Sequence, residues 1–401
     1  MQMAYVVRQP IFDHEYKVVA YELLFHRPEG EDIPGREKTA RVIANSLMNI
    51  GLEHLTGNKP AYINFSRNMV MDGTALLLPP EGIGIELPVS EPVDAEMLSA
   101  LMRLKRRGYA IVLDHFEYDA AQQPLLELAS LIKVDVQATP DVSGTMRALR
   151  PYANRLLAEK VETYAQHERA KALGFTRFQG YFFCRPQTVA GKHLPDSKLA
   201  VMRALKEIAV SDSIHQLNQV ISHDMDLSYK LLRYINSAAF GFRRRIGSIE
   251  QALNLIGLDN IRRWLTVLSM ASLGEDKPLE LVRQAMLRGR QMEDLARLQG
   301  LARLPDFFVL GMFSLLDALL DQPLDAAVRE IVLPETVRQG LFEPDSQAGR
   351  MLGLLRDTEQ ADWFAMADCC HALALNVGDV MSAHMEATRW LEEYSAMLTE
   401  A

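Results

Sequence analysis

Cysteine is scarce in this 401-residue chain: Cys184, Cys369 and Cys370, with no CxxC pair. So few thiols exclude a disulfide-stapled scaffold, disfavour structural zinc and point to a reducing cytoplasm. Cys369, Cys370 and His371 are consecutive, and successive helix positions point in different directions, so they read as packing residues rather than ligands. The N-terminus, MQMAYVVRQP, has no basic segment leading into an apolar core, so no secretory signal is expected. Long apolar runs are missing too. The stretch around Phe307 to Leu320 is broken by Ser314 and Asp317 and is too short to span a bilayer. Positive charge is not in surplus: 43 Lys and Arg face 52 Asp and Glu, for a net charge of −9. That balance weighs against a broad nucleic-acid face, and nucleic acid is not an expected partner. No GxGxxG follows the first strand-like run, so a dinucleotide-binding fold has no support. What remains is ordinary globular composition, 48% hydrophobic and 24% charged, long enough for two domains.

The two halves differ in rhythm. Strand-like runs in the first are AYVV from Ala4, VVAYELLF from Val18, AYINFS from Ala61, IGIELP from Ile83, YAIVLD from Tyr109, LIKVD from Leu131, RLLAEKV from Arg155 and RFQGYFF from Arg177. Helical segments lie between most of them. One runs from an N-cap at Asp94 to Arg107 and stops at Gly108; another runs from Gln166 to Leu173 and stops at Gly174. Repeated strand–helix alternation implies a largely parallel sheet, and eight strands imply a TIM-like (β/α)₈ barrel over residues 1–190. A doubly wound open sheet is the alternative. Beyond about Pro195 helical spacing takes over. Leu199, Met202, Leu205 and Ile208 form one stripe, Leu227, Leu231 and Ile235 a second, and Ile249, Leu253 and Ile256 a third. Ser213 with Gln216 and Ser248 with Gln251 fit the capping-box pattern. An all-α domain is therefore expected over 197–401, with the boundary in the Pro-, Gly- and polar-rich stretch Arg185 to Ser197.

Polar residues recur near the strand ends: Glu22, Asn64, Glu86, Asp114, Lys133 with Asp135, Glu159 with Glu162, and Gln179. In a parallel barrel these ends converge on one face. Carboxylates with an Asn and a Lys make a hard, oxygen-rich site suited to Mg²⁺ or Mn²⁺, and such ions hold phosphodiesters and activate water.

The order of these residues resembles the EAL family of cyclic-di-GMP phosphodiesterases. The carrying segments are Arg8-Gln9-Pro10-Ile11, Tyr21-Glu22-Leu23-Leu24-Phe25, Ile63-Asn64-Phe65-Ser66, Ile85-Glu86-Leu87, Ile132-Lys133-Val134-Asp135, Ala158-Glu159-Lys160-Val161-Glu162-Thr163 and Gln179-Gly180-Tyr181. The resemblance implies that Glu22, Asn64, Glu86 and Asp114 hold one metal ion, with Asp114 reaching a second ion that Glu162 also ligates. It implies that Lys133 positions the attacking water, and that Gln9 and Gln179 touch the nucleotide or support the ligand shell. There are departures. The family has two adjacent aspartates and a Gly-containing loop where this chain has Asp114-His115-Phe116-Glu117-Tyr118. His115 is a possible ligand but lacks the negative charge, and a loop without Gly reaches φ > 0 only at a cost. Pro88 and Val89 stand where a loop-supporting Glu is usual. The phosphate-binding Arg would fall at His26, and losing such a contact costs roughly 1.5–3 kcal/mol.

The second half resembles the HDOD domain, a relative of the HD phosphohydrolases without their catalytic residues. The match rests on Asp226 to Gly241 and on Ile249 to Gly257. Ser314 and Leu315 stand where the catalytic His-Asp would fall, so the literal His223-Asp224 pair reads as surface loop, as does the basic run Arg243-Arg244-Arg245. Asn236, in the apolar context YINSAAF, must satisfy its amide, and a structural role in the following turn is expected. Together the resemblances imply a bacterial signal-transduction protein with a degenerate barrel. It would act by binding cyclic-di-GMP, a protein partner at the helical domain, or both, with Mg²⁺ or Mn²⁺ at one remaining site and vestigial roles for Lys133 and Glu162. The alternative is an active phosphodiesterase using His115 in place of the second Asp.

Overall fold

The structure is a computed structural model that describes residues 5–26, 51–89, 93–119, 122–187, 195–210, 213–222, 225–236, 246–329, 331 and 333–399. The chain divides into two compact units, residues 1–185 with 359–363, and residues 186–358 with 364–401. The side chain of His26, the His223-Asp224 pair and Arg243–Arg245 lie outside the described residues.

The first unit is built on a closed barrel of eight strands in sequence order: β1 (Tyr5–Phe12), β2 (Val18–His26), β3 (Ala61–Asn64), β4 (Ile83–Pro88), β5 (Ala110–Asp114), β6 (Leu131–Asp135), β7 (Leu156–Glu159) and β8 (Arg177–Gln179). Strands β2 to β8 pair in parallel, whereas β1 runs antiparallel to both β2 and β8. The cause is the turn between β1 and β2. It is too short for a crossover, which needs a dozen or more residues. It is tied instead as a hairpin: Asp13 Oδ1 accepts from the backbone N–H groups of Glu15 (2.8 Å) and Lys17 (3.0 Å). The parallel strands carry continuous apolar runs because both their faces are covered. Ile111, Val112, Ile132, Val134, Leu156 and Leu157 are all buried, and Ile11, Ala20, Val112, Leu131 and Leu157 pack as one cluster.

The helices between strands follow their local signals. Helix α1 (Ala95–Arg106) starts where Asp94 Oδ1 accepts from Met97 N at 2.9 Å, and it buries Met97, Ala100, Leu101 and Leu104 on one face. Helix α2 (Tyr164–Leu173) opens with a complete capping box, Thr163 with Gln166, and closes at Gly174 in the left-handed conformation. Gly180 answers a tighter demand. A Cβ there would meet Val161 O at 2.0 Å, so only glycine lets the chain leaving β8 pass over the β7 end.

The second unit is helical throughout its described residues. Its first helices are α3 (Asp196–Val210), α4 (Ile214–Ser222), α5 (Met225–Ile235), α6 (Ile249–Ile256) and α7 (Leu258–Leu273). Met202, Leu205, Leu231, Ile235, Leu253 and Ile256 of the expected stripes are buried. Ser213 Oγ and Ser248 Oγ accept from Gln216 N (3.3 Å) and Gln251 N (3.2 Å). Asn236 ties the end of α5 to Ile246: its amide donates to Leu232 O and Ile246 O, and its Oδ1 accepts from Ile246 N at 2.7 Å. The core pair is α8 (Leu279–Leu298) against α9 (Leu304–Phe313). They meet closely where Gly311 lies under the Arg288 carbonyl, at which a Cβ would clash at 2.3 Å. Ser314, just after α9, accepts from the buried Arg288 guanidinium at 3.0 Å and donates to Gly311 O. No helix among the described residues is long and apolar enough to cross a membrane.

Candidate functional site at the barrel mouth

The strand ends bring a charged cluster together around one lysine. Lys133 Nζ, on β6, lies 2.9 Å from Glu22 Oε2 of β2 and 2.5 Å from Glu86 Oε1 of β4. Asp114 Oδ1, at the end of β5, is 3.4 Å away, and Glu159 Oε2, at the end of β7, is 3.5 Å away. All five side chains are buried, with 8% exposure or less. Asn64, ending β3, donates to Glu22 Oε1 at 2.9 Å. Gln179, ending β8, donates to Glu22 Oε2 at 2.6 Å and to Gln9 Oε1 at 3.2 Å. Gln9 pairs in register with Glu22 across the β1–β2 hairpin, which is how the antiparallel strand reaches the site.

Thus Gln9, Glu22, Asn64, Glu86, Asp114, Lys133 and Gln179 form one connected group. Glu162 sits elsewhere. It is exposed ahead of α2, where its backbone N–H donates to Gln166 Oε1. Glu159, which the sequence placed at a strand end without a role, is the β7 carboxylate inside the cluster. The signal for it was register: Glu159 pairs with Asp135 at the last rung between β6 and β7. Asp135 itself turns aside. Its carboxylate receives Lys160 Nζ at 2.7 Å and the N–H groups of Gln137 and Ala138. Burial works against its charge, but Lys160 and those two N–H groups outweigh burial and hold its pKa down.

Four carboxylates surround one ammonium, so the cluster is short of positive charge. Glu86 is pushed well up by burial and by Glu22, against the pull of Lys133. Glu159 is pushed up to about 7, first by burial and then by Asp114 and Glu22, with Lys133 opposing. Burial disfavours the Lys133 charge, yet Glu22, Glu86, Asp114 and Glu159 overcome it and raise its pKa. Glu86 Oε2 and Glu159 Oε1 are buried without a hydrogen-bond partner. Orphaned buried carboxylate oxygens are costly. Oxygen donors with uncompensated negative charge fit a hard divalent ion.

His115 follows Asp114 with φ 50°, in the left-handed region despite being neither Gly nor Asn. This turns its ring back, and Nδ1 lies 2.7 Å from Asp114 Oδ2. Lys160, after β7, is left-handed as well. Strained residues just past the C-terminal ends of β5 and β7, the two strands that flank β6, are what a pre-set site carries. Asp114, His115 and Glu159 each offer one ligand atom, and these atoms lie within 4.8 Å of one another.

A TIM-like barrel with such a mouth, followed by a helical unit, defines a class, and sequence comparison agrees. The model of the EAL domain matches residues 64–186, and that of the HDOD domain matches residues 193–320. "Uncharacterized protein YuxH" of Bacillus subtilis is 30% identical over 404 residues, 96% of this chain and 97% of that protein. "Cyclic di-GMP phosphodiesterase CdgJ" of Vibrio cholerae is 30% identical over 411 residues, 99% of this chain and 94% of that protein. The chain belongs to the family of two-domain EAL–HDOD signalling proteins related to cyclic-di-GMP phosphodiesterases. Among solved structures, the Bacillus subtilis YkuI protein, in complex with substrate c-di-GMP and calcium, is 18% identical. It covers 63% of this chain and 72% of its own, with a TM-score of 0.37. The calcium/cy-diGMP complex of Klebsiella pneumoniae BlrP1 is 21% identical, covering 46% of this chain and 56% of its own, with a TM-score of 0.38.

Proposed function

We propose that this protein transduces a signal by binding cyclic-di-GMP at the barrel mouth together with a divalent ion, that turnover there is slow, and that the helical unit docks a protein partner. The observation that carries the reading is the Lys133 cluster. Its four carboxylates and two orphaned oxygens call for a cation, while imidazole stands at His115 where the resemblance expects a second aspartate. Glu22, Asn64, Glu86 and Asp114 would hold the ion, which would supply Lewis-acid polarisation of a phosphodiester oxygen. Gln179 and Gln9 keep Glu22 oriented and line the approach, and Lys133 supplies a fixed positive charge at the base of the site. Replacing an acidic ligand by a neutral one weakens the hold on a second ion, and each 1.36 kcal/mol added to the barrier slows the reaction about tenfold. In the helical unit, the resemblance puts Ser314 and Leu315 where a hydrolase would carry His and Asp, and Ser314 is engaged by the buried Arg288 guanidinium, which supports a docking role rather than chemistry there.

A second reading has its own support. Asp114, His115 and Glu159 are already gathered, so the barrel would hydrolyse cyclic-di-GMP with His115 as a ligand. Calorimetric titration with cyclic-di-GMP in Mg²⁺, run beside chromatography of the incubated mixture, separates the two. Binding with little linear dinucleotide supports the first reading. Rapid product formation, abolished in Glu22→Ala, replaces it with the second. Neither heat nor product refutes both.

A further inference from the structure

We propose that the segment Glu359–Trp363 is a strap that competes with cyclic-di-GMP for hydrogen-bond donors at the barrel mouth, so that nucleotide binds only as the strap lifts. The inference rests on the reading that the mouth takes this nucleotide, and it adds how access is controlled. Three observations carry it. First, the segment belongs to the first unit with the barrel, while residues 186–358 and 364–401 on either side of it form the second. Second, the Glu359 carbonyl occupies two donors at the mouth. It accepts from Gln9 Nε2 at 3.3 Å and from the Tyr181 hydroxyl. The other end of the Gln9 amide, Oε1, accepts from Gln179 Nε2, and that same nitrogen donates to Glu22. A hydrogen-bonded path therefore runs from the strap to a carboxylate of the Lys133 cluster. Tyr181 follows β8, and its hydroxyl carries a single hydrogen, which this bond uses. Third, Ala361 in the middle of the strap takes φ 55°, in the left-handed region. A residue with a Cβ sits uphill there, and such residues mark clamps and switch segments held by their surroundings.

The chemistry of the two occupants is the same. Glu359 ends α10 (Gln347–Glu359), a helix of 13 residues, so its carbonyl is one of the last-turn acceptors that a helix cannot satisfy from within. It also carries the negative end of the helix dipole. Gln9 and Tyr181 thus serve a partial negative charge, which is what a phosphodiester oxygen would ask of them. With the strap down, the Tyr181 proton is taken and an anionic nucleotide approaching Gln9 meets the negative end of α10. With the strap raised, both donors are free, and the measured affinity is the intrinsic one reduced by the fraction of molecules in that state. Ala361 is half-buried in the turn between α10 and α11 (Trp363–Ala372), and it is the place to shift that balance without altering a mouth residue. Glycine takes positive φ without steric cost, and β-branched valine resists it. Ala361→Gly therefore seats the strap more firmly, and Ala361→Val releases it.

The test titrates the full chain with cyclic-di-GMP in Mg²⁺ by calorimetry. Beside it, hydrogen exchange of the peptide spanning Glu359–Trp363 is followed by mass spectrometry with and without nucleotide. Nucleotide is expected to speed exchange of the strap in the wild type. Ala361→Gly should weaken nucleotide binding roughly 3- to 10-fold, and Ala361→Val should tighten it by a similar factor, the range set by the cost of a left-handed residue. Melting curves check that each variant is folded; if Ala361→Val is not, Ala361→Gly and the exchange data decide. Heat seen only in Ala361→Val is the limiting case of a strap that stays down, and supports the inference. Unchanged affinities in the folded variants overturn it. So does nucleotide that slows exchange of the strap, which would make the segment part of the binding site. In both cases a wild-type binding heat leaves the broader reading standing. Heat absent from the wild type and from every folded variant sinks both.

Discussion

Replacing Lys133 by methionine keeps most of the side chain's volume and removes its charge. Four carboxylates then share a buried space with no cation. Breaking a buried ion pair by removing one partner destabilises by roughly 3–5 kcal/mol. At about 2–4 °C per kcal/mol for a unit of this size, the barrel's melting transition should fall by roughly 6–20 °C. The loss is expected to depend on pH. Glu86 and Glu159 already have raised pKa values, and without Lys133 opposing them they hold protons more firmly still. Lower pH favours their protonated forms, so the deficit should be smaller at pH 5.5 than at pH 8. The assay is scanning calorimetry of wild type and Lys133→Met in chelator at both pH values, with the two units followed as separate transitions. Divalent cation should restore part of the lost stability by replacing the missing charge. A variant that melts within 2 °C of wild type at both pH values, indifferent to added ion, would refute the claim that the lysine neutralises the cluster.

Three further outcomes are expected. Glu159 has a pKa of about 7 in the fold against 4.5 for the free side chain. The native state therefore holds a proton that the unfolded chain has lost, and its contribution to stability is complete below about pH 4.5 and disappears as pH rises through 7. Urea titrations of wild type and Glu159→Gln across that window should show the slope in the first and its loss in the second. Gly180→Ala should destabilise the barrel by 2 kcal/mol or more on the order-of-magnitude scale of forced backbone shifts, since its Cβ meets the Val161 carbonyl at 2.0 Å; thermal melting checks this. Asn236→Ala should cost about 1–3 kcal/mol by leaving backbone groups of Ile246 unpaired, which denaturant unfolding would show in the helical unit's transition.

Much of the architecture was legible because each strand carries an apolar run dense enough for a strand buried on both faces, bounded by Gly or a capping residue. The antiparallel β1 was not read, since period and composition do not record direction. The information lay in the length of the turn from Asp13 to Lys17. The site was legible as a set of strand-end residues, but not in its inner detail. Sequence spacing cannot choose between Glu159 and Glu162, which lie in one short motif; only the register with Asp135 puts the first inside and leaves the second in solvent. The Gly-free loop reaches positive φ only at a cost, and His115 bears that cost, held by the two contacts its ring and N–H make with Asp114. The lysine's place at the hub, touching four acids, is a property of convergence in space and has no counterpart in the linear order.

The reversed first strand has a consequence for how the barrel assembles. It is the seam piece, stitched to its immediate neighbour by a local hairpin and to β8 at the far end of the domain. The hairpin can zip early, but the cylinder stays open until more than 150 further residues have been laid down, and a join between positions so distant in sequence is slow to find. Because Gln9 and Gln179 meet across that seam, the barrel mouth is finished only when the last stave is in place.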